Sequence, residues 1–206
     1  MLNLREMLPP VRDQGERETC LSMALSDGHH IARGTAPALA ADFLHFTATT
    51  VAGVGVNEAV PVSSAMHALE NSGQPAETDC PYSPMALPQT WRPPLAREVW
   101  RRKTSIGPTG SWATISTQLG AGAPVVLLLN IDDAFWSPVS GSVETPSGPA
   151  RAAHAVLGVA VATDVARVLV RNSWGVDWGV GGYAWLSSGY VAARCIAVIT
   201  FEGAVT

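Results

Sequence analysis

The segment VRDQGERETCLSMALSDGHHIAR (residues 11–33) begins as a charged, glycine-containing loop and continues as a run of helix-forming residues. Thr19 belongs to the residue types that cap helix N-termini, and Gly34 to those that end helices. The segment therefore predicts a helix over 20–33 that begins at Cys20. The partial positive charge at a helix N-terminus favours a thiolate, and a nearby histidine would strengthen it as a nucleophile. Taken alone, a cysteine is more often a small buried apolar residue.

The rest of the chain divides into a helical first half and a β second half, which predicts an α+β fold. Helices are expected at 63–73 and around 113–120, and strands at 124–131, 154–162, 166–174 and 181–187. Residues 75–112 are rich in proline and tryptophan and are interpreted as an irregular connection. The basic cluster at 97–103 is interpreted as a solvated face.

Composition excludes several classes of protein. The 206 residues are 47% hydrophobic and 15% charged, with a net charge of −4 and a mean hydropathy of +0.18. These values are typical of a globular chain and predict no nucleic-acid partner. The N-terminal residues contain no apolar run, so neither a secretory signal nor a transmembrane start is predicted. The sequence has three cysteines and no CxxC pair, which predicts neither a disulfide framework nor a cysteine-rich metal site. The adjacent His29 and His30 in a helix do not predict a metal site either, and no cofactor is expected.

Four residues stand in an order that points to thiol chemistry: Gln14, Cys20, His154 and Asn172. Papain-like enzymes have a cysteine near the mature N-terminus and a histidine and an asparagine about 130–150 residues downstream. Further segments follow the same family pattern: Asn57-Glu58-Ala59, Glu77 to Tyr82, His154-Ala155-Val156, Asn172-Ser173-Trp174-Gly175 and Gly182-Tyr183. The chain resembles the papain-like cysteine peptidases, the C1 family.

The resemblance implies a fold and a set of roles. The fold would have two lobes, a mainly helical lobe at 1–112 and a β-barrel-like lobe at 113–206, with the active site in the cleft between them. Cys20 would be the nucleophile and His154 the base and later the acid. Asn172 would orient the imidazole, and Gln14 would donate a hydrogen bond to the oxyanion.

The resemblance also implies residues that contact substrate. The family's Asn-Gly-Gly segment lines the cleft, and here Glu58 and Ala59 occupy its glycine positions. A carboxylate at Glu58 predicts a preference for Arg or Lys at P2 or P3. Ala152 and Ala153 would form a small, uncharged opposite wall, and Trp174 would shield the bond between asparagine and histidine.

Departures from the family pattern predict where and how the protein works. Two positions of a family disulfide are Arg17 and Val56 here, and the disulfide partner of Cys195 is missing. Their loss predicts a reducing, cytoplasmic compartment. Only eight residues precede Pro9-Pro10, so no inhibitory propeptide is expected. Three explanations stay open: a constitutively open enzyme of narrow specificity, excision from a longer product, or control by a regulatory protein partner. The bias toward Ala, Gly and Arg, with Lys103 as the single lysine, indicates a bacterial source.

Three functions remain open at this point. The first is a cysteine peptidase that acts on a peptide or protein through a thioester acyl-enzyme. The second is an acyl transferase or peptide ligase that passes the same acyl group to an amine. The third is a catalytically weak peptide-binding protein, suggested because Leu21 replaces the tryptophan that usually follows the nucleophile.

Overall fold

The computed structural model describes residues 2–34, 37–107 and 109–205. Within these ranges, a 3-10 turn at Leu4–Met7 comes first, and six helices and seven strands follow in mixed order. The helices are α1 Cys20–Arg33, α2 Ala41–Ala52, α3 Val62–Asn71, α4 Trp112–Gly120, α5 Asp133–Trp136 and α6 Ser188–Arg194. The strands are β1 Arg101–Gly107, β2 Val125–Ile131, β3 Ser142–Val143, β4 Ala152–Ala162, β5 Arg167–Arg171, β6 Tyr183–Ser187 and β7 Cys195–Val205.

The chain forms two units. The sheet unit comprises the chain up to Asp13 together with Ser105–Thr200, and the helical unit comprises Gln14–Thr104 together with the chain from Phe201 onward. This division differs from the expected one at residue 112, because the first 13 residues pack with the later half and the last strand ends in the helical unit.

The helical unit consists of α1, α2 and α3 around an apolar core that includes Met23, Leu44 and Leu69. Helix α1 has the predicted bounds, and Gly34 ends it with a left-handed φ of 73°. The Thr19 side chain does not cap the helix, because its hydroxyl is hydrogen-bonded to the Tyr82 hydroxyl at 2.7 Å.

The described strands form one sheet in the order β1-β7-β2-β4-β5-β6-β3, and β2 to β6 lie wholly within the sheet unit. Strand β2 pairs antiparallel with both β4 and β7, and β4 pairs antiparallel with β5. Helix α4 packs on β2 and β4, so residues on both faces of these strands are buried. Burial on two faces explains why β2 and β4 appear in the sequence as continuous apolar runs rather than as alternating ones.

Two sequence-based expectations need correction in this part of the chain. Residues 101–107 form strand β1 rather than irregular connection. The basic cluster is also not simply solvated, because the Arg102 guanidinium donates hydrogen bonds to the backbone oxygens of Ala32 and Glu202. Within the described residues, no helix has the length and hydropathy that a membrane crossing requires.

The first residues of the chain are fastened to the sheet unit. Asn3 forms an isolated bridge with Ala160 on β4. The buried Arg171 side chain donates to the backbone oxygens of Pro9 and Pro10, each at 2.7 Å. This fastening fixes the point at which the chain leaves the sheet unit at Asp13 and enters the loop before α1.

Candidate active site

Gln14 and Cys20 lie at the two ends of one short loop in the helical unit. Cys20 is the first residue of α1 and is half-buried. The first N–H groups of a helix have no acceptor within the helix, so the backbone there can donate to an anion. The buried Gln14 side chain donates from Nε2 to the Arg17 backbone oxygen at 2.8 Å. An amide nitrogen carries two hydrogens, so this bond fixes the orientation of the amide group and with it the direction of the second N–H.

Arg17 anchors the middle of this loop. Its side chain is fully buried and forms an ion pair with the buried Asp42. The guanidinium also donates to Asn57 Oδ1 at 3.1 Å, to the Ser83 backbone oxygen at 3.0 Å and to the Val56 backbone oxygen at 3.3 Å. One buried cation thus joins the loop to three separate segments of the helical unit.

Tyr82 is a second anchor for the same loop. Its hydroxyl donates to the Gln14 backbone oxygen at 2.8 Å and is hydrogen-bonded to the Thr19 hydroxyl at 2.7 Å. The Arg17 guanidinium lies 5.2 Å from the centre of its ring, within the range of a cation–π contact. Both ends of the loop are therefore held by one aromatic side chain.

His154 and Asn172 come together through the register of two neighbouring strands. Strands β4 and β5 pair antiparallel with Leu157 opposite Arg171. Extending this register past the end of β5 brings Asn172 beside the first residues of β4. The His154 Nε2 and Asn172 Oδ1 atoms are 2.7 Å apart, and Asn172 Oδ1 also accepts from the Ser173 backbone N–H.

This bond fixes the state of the imidazole. An amide oxygen can only accept, so His154 Nε2 carries the hydrogen and Nδ1 is the basic nitrogen of the neutral ring. His154 is 5% exposed, and burial lowers its pKa to about 4, although the bond to Asn172 acts in the opposite direction. Burial thus favours the neutral ring, which can accept a proton.

Aromatic rings surround the histidine. The Trp174 ring packs on the imidazole with centroids 4.4 Å apart and planes at 34°. Phe135 is fully buried and lies 5.8 Å from the imidazole and 5.7 Å from the Trp174 ring, and Trp136 stacks on Trp174 at 4.4 Å. The Trp178 indole N–H donates to the Phe135 backbone oxygen at 3.0 Å and so fixes helix α5.

The expected substrate-contacting residues occupy different settings. Glu58 and Ala59 are exposed in the helical unit, and Ala152 and Ala153 are exposed at the start of β4 in the sheet unit. Trp174 is half-buried and packs on the histidine. These positions leave the four small or acidic residues accessible to a ligand.

Sequence reasoning missed Tyr82, Phe135 and Trp136, and it treated Arg17 only as a lost cysteine position. Arg17 pairs with a residue 25 positions away, and Tyr82 contacts residues 63 and 68 positions away. Contacts this distant in sequence leave no local pattern. The sequence Asp132-Asp133-Ala134-Phe135-Trp136 did carry a signal, since an aspartate before a short apolar run is typical of a capped helix.

A cavity of about 580 Å³ adjoins α5 and is lined by residues that include Ala134, Ser137, Val139 and Val143. In the part of the chain that the structure describes, no group of three or more His, Cys, Asp or Glu side chains is arranged to hold a metal ion.

Comparison with known proteins places these features in a family context. The model of the papain family of cysteine proteases matches residues 3–199. The thiol protease aleurain of Arabidopsis thaliana is 27% identical over 193 residues, which cover 89% of this chain and 53% of that protein. The chain thus spans about half the length of this plant relative.

Solved structures share the fold. Xylellain, a cysteine protease from Xylella fastidiosa, superposes with a TM-score of 0.76 at 18% identity, covering 97% of this chain and 90% of its own. The bromelain protease from Ananas comosus, solved with the inhibitor E64, gives a TM-score of 0.75 at 17% identity, covering 98% and 97%. The expected papain-like α+β fold is confirmed.

Proposed function

The chain belongs to the papain family of cysteine proteases, and from this premise we propose that it hydrolyses peptide bonds through an acyl-enzyme formed on Cys20. The observation that carries the proposal is the 2.7 Å bond between His154 and Asn172 beneath Trp174. That bond leaves a basic ring nitrogen on a buried histidine, in a chain whose motif order pairs it with a thiol at a helix N-terminus.

In the first half of the reaction, His154 Nδ1 takes the proton of the Cys20 thiol. The sulfur attacks the substrate carbonyl carbon and forms a C–S bond. The Cys20 backbone N–H and the Gln14 side-chain amide donate to the oxyanion. The imidazolium then gives its proton to the leaving nitrogen, the C–N bond breaks, and a thioester remains on Cys20.

In the second half, His154 acts again as a base. It takes a proton from water, whose oxygen attacks the thioester carbon. The C–S bond breaks, the thiolate takes up the proton from the imidazolium, and the product leaves as a carboxylic acid. Asn172 holds the ring in position through both halves without adding a charge. The substrate is a peptide or protein segment.

Two substitutions test the proposal. Cys20→Ala and His154→Ala each remove a reacting group, so we expect peptide hydrolysis to fall by a factor of about 10⁴ or more while circular dichroism stays unchanged. Cys80→Ala is the matched control, because burial together with the charges of Asp42 and Glu77 raises the pKa of the Cys80 thiol to about 12. Near wild-type hydrolysis by Cys20→Ala would overturn the proposal.

Thiol labelling gives an independent measurement. Burial also raises the pKa of the Cys195 thiol, so we expect iodoacetamide at pH 7 to label Cys20 alone. Equal labelling of all three cysteines would favour a peptide-binding protein without catalysis. Product mass then distinguishes hydrolysis, which adds water, from transfer, which adds an amine.

A further inference from the structure

We propose that Trp136 determines specificity for the leaving-group side of the substrate and selects an aromatic or large apolar side chain at P1′, the first residue after the cleaved bond. The proposal rests on the proposed function and names a substrate class for it. It depends only on residues of the sheet unit.

The first observation is that the indole of Trp136 is half exposed to solvent. Trp136 is the last residue of α5 and is 49% exposed, whereas its neighbour Phe135 is fully buried. Exposing half of an indole forgoes part of its burial free energy, and tryptophan is enriched at binding interfaces.

The second observation is the position of this indole relative to the acid of the reaction. The Trp136 and Trp174 rings stack with centroids 4.4 Å apart and planes at 15°, and Trp174 lies 4.4 Å from the His154 ring. His154 must give its proton to the leaving nitrogen. The residue attached to that nitrogen therefore starts at the imidazole, and an extended residue spans about 3.3–3.6 Å. The two separations of 4.4 Å place the centre of the Trp136 ring at most about 9 Å from that of the imidazole, so a large side chain on this residue can reach the second indole.

The third observation is that the platform is rigid before any ligand binds. Asp132 is fully buried and caps α5, and it also accepts hydrogen bonds from the Tyr190 hydroxyl, the Ser147 backbone N–H and the Arg194 guanidinium. Trp178 fixes the other end of α5. A fixed aromatic surface loses little entropy when a second ring stacks on it.

The test separates the leaving-group site from the acyl site. The full chain is acylated with an N-blocked peptide p-nitrophenyl ester, and amino acid amides compete with water for the acyl-enzyme. The amide occupies the position of the leaving group, because capture is the reverse of acylation. We expect phenylalaninamide to capture the acyl group about ten-fold more efficiently than alaninamide.

Variants assign this preference to the indole. Trp136→Ala is expected to bring the two amides within about two-fold of each other, and Trp136→Phe to keep part of the difference. Val165→Ala is the matched control, because Val165 is also exposed and apolar but lies in the turn after β4, at the opposite end of that strand from His154. It should keep the wild-type ratio.

The outcomes are distinguishable. Release of p-nitrophenol at equal rates by wild type and Cys20→Ala would overturn the proposed function and this inference with it. Acylation without a preference between the amides would overturn this inference alone. If Trp136→Ala slowed hydrolysis and both captures equally, the indole would only cover Trp174, and the inference would again be wrong.

Discussion

The loop that ends at Cys20 and the strands that carry His154 are stabilised by different kinds of contact. In the helical unit, the buried ion pair between Arg17 and Asp42 and the Tyr82 hydroxyl hold the loop. In the sheet unit, a β-ladder and a group of aromatic rings hold the histidine.

This difference teaches how each region should fail. A buried ion pair is directional, and removing one partner leaves an uncompensated charge in a medium of low dielectric constant. Apolar packing loses free energy roughly in proportion to the volume removed. The loop should therefore respond to the charge of a substitution, and the sheet to its size.

The largest effect on stability is expected from removal of the Arg17 side chain. We expect Arg17→Met to lower the free energy of unfolding by about 3–5 kcal/mol, because Asp42 stays buried without its cation. Adding Asp42→Asn should recover at least half of the loss, since the charge is gone and an acceptor remains for the Ser83 backbone N–H. Urea denaturation measures both.

The matched substitution in the sheet unit is Leu129→Ala, at a fully buried position of β2 opposite His154. It should cost about 2–5 kcal/mol through the cavity it leaves. If the double variant at Arg17 and Asp42 were no more stable than Arg17→Met alone, the loop would depend on packing as the sheet does.

Acid should destabilise the helical unit through its buried histidines. Burial, followed by the positive charges of Arg102 and Arg33, lowers the pKa of His29 to about 3, and burial with Arg17 lowers that of His45 to about 4. The unfolded chain, with histidine pKa values near 6.5, binds more protons below that pH. The contribution of these two histidines to the free energy of unfolding is therefore fully present above about pH 6.5 and is lost as the pH falls toward 4.

Each histidine should contribute a slope that approaches about 1.4 kcal/mol per pH unit as the pH falls well below 6.5. Urea denaturation between pH 7 and pH 5 measures it. His29→Gln should reduce the slope by about that amount, whereas the exposed His67→Gln serves as the control and should keep it. An unchanged slope in His29→Gln would show that protonation of this side chain is not linked to unfolding.

Asn172→Asp sharpens the comparison by placing a charge in the sheet unit. A carboxylate 2.7 Å from His154 would stabilise the imidazolium and raise its pKa from about 4 by about one to two units. The acid limb of kcat/KM should move up by the same amount, because the base is lost at higher pH. An acid limb that stayed in place would assign it to another group.

The smallest effect is expected at Glu58. Its carboxylate is exposed, so Glu58→Gln should reduce the preference for Arg or Lys at P2 or P3 by a factor of about two to five, and added salt should do the same to wild type. Stability should change by less than about 0.5 kcal/mol. Identical cleavage profiles for both proteins would show that Glu58 does not contact substrate.

Much of the fold could be predicted because its signals are local. Helix α1 begins and ends at the predicted residues, since a loop precedes Cys20 and Gly34 supplies the left-handed turn. The apolar runs predicted β2 and β4 to within about two residues. Strand β1 was missed because its basic residues alternate with few apolar ones.

The candidate site divides in the same way. The order of Gln14, Cys20, His154 and Asn172 could be read from motifs, and their roles stay predictions that the variants above test. The surroundings could not be read. Arg17 acts through contacts with residues 25 to 66 positions away in sequence, and Trp136 acquires a neighbour only when the loop after β5 folds over α5.

The hydrogen bond between the Arg171 side chain and the Pro9 backbone oxygen joins residues 162 positions apart, so it can form only late in synthesis. At about 5–20 residues per second, the ribosome adds Arg171 roughly ten to thirty seconds after it has added Pro9. The thiol and its neighbouring glutamine are thus made long before the imidazole that would activate them. A nascent chain that contains Cys20 but not yet His154 lacks the base of the proposed reaction, so we expect it to cleave no peptide at that stage.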